Sequence, residues 1–261
     1  MPGRTAYPKI PRPRRASEMP LLSTSELSKR FGALQVVDRI NLEIRSGEIL
    51  GLIGPNGAGK TTLLNLITGF VKPSSGLVSF GKRNITTKAP YVRVSYGMAR
   101  TFQTPQLFSE MTVRENVIMG GTAKSAFQLH GTSKMDLEKK SGEILDLVEL
   151  SRAARVRANE LPYGHQRKLE IARALMTDPH LLLLDEPAAG MTDAEAASIA
   201  VLLRTIQLQG CTVAVVDHNM RLIMNVCERI VVMNFGKIIA NGSPAEIRSH
   251  PSVVAAYLGA A

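Results

Sequence analysis

From Leu22 to Gly81, apolar and polar positions alternate in short runs separated by turn residues. Leu34 to Ile44 alternates around Asp38 and Asn41, Ser46-Gly47 breaks the pattern, and Leu77 to Phe80 resumes it after Pro73 to Gly76. This predicts a mixed sheet before and beside the apolar stretch Ile49 to Ile53. Between about Thr104 and Glu160 the period changes: Thr112 to Val117 and Met135 to Leu150 carry apolar residues three and four apart, which predicts a helical lobe inserted into the core. Leu181 to Leu184 and Thr212 to Val216 are short continuous apolar runs, the pattern of strands covered on both faces of a parallel sheet. A helix between them starts at a capping box, Thr192 with Glu195, and stops at Gly210. Val231-Val232-Met233 and Lys237-Ile238-Ile239 flank Asn234-Phe235-Gly236 as a terminal hairpin, and Ser243-Pro244-Ala245-Glu246 opens a further helix.

The chemistry begins where the apolar stretch Ile49 to Ile53 runs into Gly54-Pro55-Asn56-Gly57-Ala58-Gly59-Lys60-Thr61-Thr62, followed by helical spacing. Strand, glycine loop and helix in that order make a phosphate-binding P-loop. Gly54, Gly57 and Gly59 allow backbone angles that turn successive N–H groups inward, reinforced by the positive end of the following helix. Lys60 then reaches the outer phosphates, and Thr61 offers its hydroxyl to Mg²⁺. Adjacent carboxylates, Asp185-Glu186, close the buried run at Leu184. Asp185 suits the acidic residue that holds Mg²⁺ beside the P-loop threonine. Glu186 is placed to deprotonate a water aimed at the γ-phosphate.

With 261 residues and 44% hydrophobic content, the chain suffices for one large α/β domain with a smaller helical lobe. No apolar run approaches the roughly 18 to 20 residues that cross a bilayer, and the N-terminus lacks a signal peptide's apolar centre, so a cytoplasmic location is expected. The net charge of +10 suggests nucleic acid until it is located: residues 1–20 hold five basic residues against Glu18 alone, in a proline-rich stretch expected to be disordered. Few aromatics and no recognition motif leave specific nucleic-acid reading without support. Cys211 and Cys227 have neither metal-ligand spacing nor disulfide density, so buried, reduced thiols are expected.

Leu161-Pro162-Tyr163-Gly164-His165-Gln166, placed before a helix Arg167 to Met176 and about twenty residues ahead of Asp185-Glu186, resembles the signature motif of ATP-binding cassette (ABC) proteins. The likeness covers nearly the whole chain from Leu22 to Gly259. It implies a P-loop NTPase core with a mixed β-sheet subdomain and an inserted α-helical subdomain at about 104–165, within one nucleotide-binding domain over 21–261. Gln103 in Arg100-Thr101-Phe102-Gln103 resembles the Q-loop glutamine, which in the family contacts Mg²⁺ and relays nucleotide state to the helical lobe. His218 after Asp217 matches the switch histidine that contacts the γ-phosphate, and Ala189-Gly190-Met191-Thr192 occupies the D-loop, with Thr192 where an acidic or amide residue is usual. Phe31 stands where the family commonly stacks an aromatic ring on adenine; packing within the sheet is the competing reading. Tyr163 and Gly164 are implied to face the nucleotide of a partner cassette. At Pro162 the family mostly has a serine, so one donor to that nucleotide is absent.

Within the family, Leu66-Ile67-Thr68-Gly69-Phe70, Ala99 to Gln103, Leu169 to Ala174, Glu186 to Gly190 and Ala256-Tyr257-Leu258-Gly259 are similar to ATP-binding subunits of branched-chain amino acid importers. The resemblance implies a dimer with a like or paired cassette, enclosing two ATP with Mg²⁺. It further implies two membrane-spanning permease subunits, a periplasmic solute-binding protein reached indirectly, and a location on the inner face of the membrane. An ATPase of a lipid or lipopolysaccharide exporter, or a degenerate module that binds ATP without turnover, are the alternatives.

Overall fold

The computed structural model describes residues 19–125 and 133–258. The basic leader expected over 1–20 thus lies, but for its last two residues, outside the described residues. In chain order, β1 (Leu22–Phe31), β2 (Leu34–Ile40), β3 (Glu43–Ile44), β4 (Ile49–Ile53), α1 (Lys60–Thr68), β5 (Ser75–Phe80), β6 (Arg83–Asn84), α2 (Pro90–Ser95) and β7 (Met98–Arg100) form the first half. The helices α3 (Val113–Ser125), α4 (Lys134–Leu147) and α5 (Tyr163–Leu175) follow. Then come β8 (Leu181–Asp185), α6 (Asp193–Leu208), β9 (Thr212–Val216), α7 (Met220–Val226), β10 (Arg229–Asn234), β11 (Lys237–Gly242), α8 (Pro244–Ser249) and α9 (Pro251–Leu258).

The strands divide between two sheets. An antiparallel sheet runs β2-β1-β5-β6 with β3 on β1, and a central sheet runs β11-β10-β4-β9-β8-β7. In the central sheet every pairing is parallel except the β10–β11 hairpin. Every residue of β4, β8 and β9 is buried, as their unbroken apolar runs require. Alternate residues part to opposite faces. Ile49, Leu182, Leu184, Val213 and Val215 join α5, α6 and α7 in one core, whereas Leu50, Leu52, Leu181, Leu183 and Val216 join α1 and the antiparallel sheet in a second.

The predicted caps are present: Thr192 with Glu195 and Ser243 with Glu246 are both complete capping boxes, and Gly210 takes φ 101° just past α6. The hairpin turn Phe235-Gly236 has φ of 45° and 76°, a two-residue turn with both centres left-handed, whose twist matches the flanking strands. One boundary differs from the sequence reading. Helix α5 starts at Tyr163 rather than Arg167, because Pro162 is fixed in an extended N-cap conformation and its carbonyl receives the His165 and Gln166 amides at 2.9 and 3.0 Å. The signature residues are therefore the first turn of the helix.

The P-loop helix ends on a buried arginine. Arg93 donates from Nη1 to Leu66 and Ile67 carbonyls at 2.8 and 2.5 Å, from Nε to Lys88 O at 2.9 Å and from Nη2 to Thr86 O at 3.0 Å. Burial pulls its guanidinium down to about 10. Gly69, at φ 84°, has to be glycine, since a Cβ there would lie 2.7 Å from Arg93 Nε. Arg93→Met leaves four carbonyls without this donor, and the unfolding free energy from urea denaturation is expected to fall by about 3 kcal/mol with an unchanged m-value.

Candidate active site

Register fixes where the chemistry lies. Leu52 of β4 pairs with Val216 of β9, and Asp185 of β8 pairs with the same Val216, so these three neighbours end level at their carboxyl ends. The loops that leave them are the P-loop, Glu186 onward and Asp217-His218, which emerge side by side where ligands of open α/β sheets bind. Gly54, Gly57 and Gly59 carry φ of 154°, 79° and 98°, angles that glycine alone adopts without strain. A side chain on Gly54 would run into the Met233 carbonyl, and one on Gly59 would meet Val36 O at 2.5 Å. The hairpin braces this loop: Gly236 N donates to Ala58 O at 3.0 Å, and Gly236 O accepts from Asp38 N at 2.9 Å.

Lys60 folds over the loop, its Nζ donating to Gly54 O at 2.7 Å and Pro55 O at 2.9 Å. Burial lowers its ammonium below the usual lysine range, an effect opposed by the charges of Glu186 and Asp185. Asn56, Gly57 and Thr61 are exposed, and Pro55 and Thr62 partly so, at the start of α1. The Thr61 hydroxyl is thus open to a ligand beside Lys60.

Asp185 is held by a residue to which the sequence reading gave no role. Arg100 Nη2 pairs with Asp185 Oδ2 at 2.8 Å, the two side chains only 6% and 4% exposed. Arg100 Nη1 also donates to Asn65 Oδ1 and Thr68 Oγ1 at 2.6 and 3.1 Å, and its guanidinium lies 5.1 Å from the Phe102 ring and 6.0 Å from Phe70. Burial pushes the Asp185 carboxyl up, and Arg100 pulls it back down. Glu186, at φ 50°, turns its side chain off the strand end while its amide still bonds Val216 O at 2.7 Å. Gln103 Nε2 donates to Glu186 Oε2 at 2.9 Å, and His218 Nδ1 lies 3.9 Å from the same oxygen. Buried Asp217 joins the loops behind them, accepting from Ala188 N at 3.1 Å and Asn219 N at 2.8 Å.

Lys60, Asp185, Glu186, Gln103 and His218 therefore share one site. Tyr163 and Gly164 pack elsewhere: a Cβ on Gly164 would lie 2.7 Å from Glu195 Oε1, and one on Gly190 would lie 3.6 Å from Tyr163. Phe31 ends β1 half exposed, with Lys29 Nζ 4.9 Å above its ring. Tyr257 of α9 reaches the P-loop, where burial raises its phenol and the Gly54 amide lowers it by a hydrogen bond. Cys211 and Cys227 are buried free thiols, both pushed up by burial to about 12. Among the described residues no group of three or more His, Cys, Asp or Glu side chains could hold a metal alone. Nucleotide-bound Mg²⁺ needs no such cage, because phosphates and water supply most of its ligands.

Residues 37–189 match the family model described as ABC transporter, and residues 237–261 match that described as branched-chain amino acid ATP-binding cassette transporter. The chain belongs to the ABC transporter family. It is 40% identical to the high-affinity branched-chain amino acid transport ATP-binding protein LivG of Salmonella typhimurium, over 93% of this chain and 99% of the relative. To BraF of Pseudomonas aeruginosa, a protein of the same description, it is 38% identical over 93% and 99%. The ADP conformation of an ATP-binding cassette of an ABC transporter superimposes with TM-score 0.83 at 34% identity, covering 92% of this chain and 99% of that one. A dimeric post-hydrolysis cassette bound to ADP and Pi does so with TM-score 0.76 at 27% identity, over 85% and 98%. This ABC protein is an ATP-binding subunit and an ATPase with the α/β cassette fold expected from its motifs.

The Arg100–Asp185 pair makes this ABC site sensitive to loss of one partner. Arg100→Met leaves a buried carboxylate unpaired and is expected to cost about 3 kcal/mol in urea unfolding. Combining it with Asp185→Asn is expected to recover more than half of that; losses that simply add would mean the two side chains act independently.

Proposed function

We propose that this chain powers an importer of branched-chain or related amino acids, closing on a second cassette around two ATP and driving two permease subunits. The observation that carries the reading is the 40% identity to a LivG protein over 93% of the chain, supported by an assembled catalytic cluster. The match of residues 237–261 to the branched-chain model favours importer over lipid exporter. No helix among the described residues is long and apolar enough to cross a membrane, which suits a subunit carried by permease partners at the inner face, fed by a periplasmic solute-binding protein.

In this reading, Gly54 to Thr62 enclose the phosphates, and Lys60 exchanges the Gly54 and Pro55 carbonyls for the outer phosphate oxygens. Thr61, Asp185 and Gln103 would hold Mg²⁺, which neutralises charge on those oxygens. Glu186 takes the proton of the attacking water; Gln103 orients the Glu186 carboxylate from one side, and His218 reaches the γ-phosphate from the other. Phe31 offers its exposed face to adenine. Tyr163 and Gly164, at the positive end of α5, complete the site of the other cassette. A groove of about 770 Å³ between core and lobe, lined by Val94, Ala99, Leu107, Phe108, Met119 and Arg173, is mostly apolar and adjoins the Q-loop. It suits a permease segment whose movement is passed to Gln103.

Pro162 offers neither hydroxyl nor amide to the partner's γ-phosphate. Glu186→Gln keeps ATP bound while removing the base, so Mg-ATP is expected to shift this variant from monomer to dimer in light scattering. Adding Pro162→Ser should tighten that dimer about tenfold. A Glu186→Gln variant that hydrolyses ATP normally and stays monomeric would displace Glu186 from its role.

Cargo is tested by reconstituting the cassette with its permease pair and solute-binding protein in proteoliposomes. ATP hydrolysis is expected to rise severalfold with leucine, isoleucine or valine on the binding protein. Stimulation by a solute of another class, with none by these three, would reassign the importer.

A further inference from the structure

The Q-loop is gripped by two different bodies, and the change-over falls within one peptide unit. Up to Thr101 the chain belongs to the central sheet: Thr101 N bonds Leu183 O at 3.0 Å, and Arg100 is paired with Asp185. From Phe102 it belongs to α5. Phe102 N donates to Glu170 Oε1 at 2.9 Å, Phe102 O accepts from Arg167 Nη1 at 2.6 Å, and Gln103 O accepts from Arg167 Nη2. Arg167 and Glu170 pair at 3.3 Å with side chains 2% and 3% exposed, and Arg167 Nε donates to the Tyr163 hydroxyl at 3.1 Å. One planar guanidinium thus spans two successive Q-loop carbonyls and a signature-motif side chain, a geometry that an ammonium cannot match. Gln103 itself is exposed, so water could serve its carbonyl; a buried ion pair, costly to desolvate, does so instead.

We propose that Arg167 and Glu170 are positioning residues that make Gln103 part of the signature helix. The hinge between core and lobe lies at Thr101–Phe102, and the bond from Gln103 Nε2 to Glu186 Oε2 reports the position of α5 to the catalytic carboxylate. Glu170 also lines the groove between core and lobe, so pressure there reaches Glu186 through a single chain of contacts. The inference rests on the ATPase reading for its catalytic consequence, while the hinge itself stands on the change of bonding partners between Thr101 and Phe102.

The test uses the full chain. Arg167→Met with Glu170→Met removes both charges and the acceptor of the Phe102 amide, so neither charge is left buried and unpaired, and Arg167→Lys keeps the charge but loses the fork. The paired variant is expected to lose about tenfold in kcat for Mg-ATP while KM for ATP stays within about twofold, because the P-loop is untouched; Arg167→Lys should fall between. In a Gln103→Ala background the paired substitutions should lower kcat no further. Amide exchange should accelerate at Phe102 by about tenfold or more and stay unchanged at Thr101. The proposal is overturned if the paired variant turns over like the wild type, if its loss multiplies with that of Gln103→Ala, or if Thr101 and Phe102 exchange alike. Wild-type protein that fails to hydrolyse ATP, or a Lys60→Ala variant that still does, would instead strike the ATPase reading, and the exchange comparison would then decide the hinge.

Discussion

The level ending of three buried parallel strands is the constraint on which the site depends. Because β4, β9 and β8 pair in register with Val216 at the common end, the Lys60 loop, Glu186 and His218 emerge at one height. A one-residue slip would exchange the faces of every side chain in the strand, moving Leu182 and Leu184 out of one core and Leu181 and Leu183 out of the other. Both cores therefore hold the register, and register holds the chemistry. The loops are anchored in turn by Ala58 in one core, Ala188 in the other and braces such as the Gly236–Ala58 bond.

Charge at the site is arranged as opposition rather than neutralisation. Lys60 is depressed by burial, while Asp185 is raised by it and restored by Arg100. Removing these groups from water strengthens each remaining interaction, so the pairs are directional and an unpaired member is costly. Arg100 and Arg167 then divide the labour: the first ties Asp185 to β7 and α1, and the second ties Phe102 and Gln103 to α5. The Phe102 ring lies between, 5.1 Å from the Arg100 guanidinium and 5.5 Å from Phe70 in an edge-to-face contact.

Much of this was legible in the sequence because local physics dictates it. Three glycines before Lys60 admit few conformations other than a phosphate loop, and Leu181 to Leu184 can sit only in a strand buried on both faces. Capping boxes at Thr192 and Ser243 satisfy their own helix ends without help from distant residues. What stayed hidden was long-range. Arg100 pairs across 85 positions and Arg167 across 65, and no spacing rule marks either one. Arg93 carries no motif or periodicity that marks it, yet it closes the end of α1. Tyr257 served only to mark a subfamily, whereas its hydroxyl meets the Gly54 amide. The start of α5 was misplaced because a Pro-x-Gly sequence reads as loop, while proline followed by three free amides is also a well-formed helix start.

That helix start bears on the proposed pairing of two cassettes. The first turn of α5 faces the D-loop side of its own chain, with Gly164 against Glu195 and Tyr163 beside Gly190. Glu195 already caps α6 through Thr192 at 2.8 to 2.9 Å, so the signature and the D-loop are linked by one carboxylate. In the proposed dimer both would meet the same foreign nucleotide. A side chain larger than hydrogen at Gly164 would displace Glu195 and disturb the D-loop cap, which couples the identity of a signature residue to the geometry of a segment thirty residues away. In that dimer Pro162 would offer the foreign phosphate no donor, while its carbonyl still receives the His165 and Gln166 amides that open α5. A serine there would supply both the phosphate donor and the side-chain cap that Pro162 lacks, so in the proposed dimer affinity and helix stability would rise together.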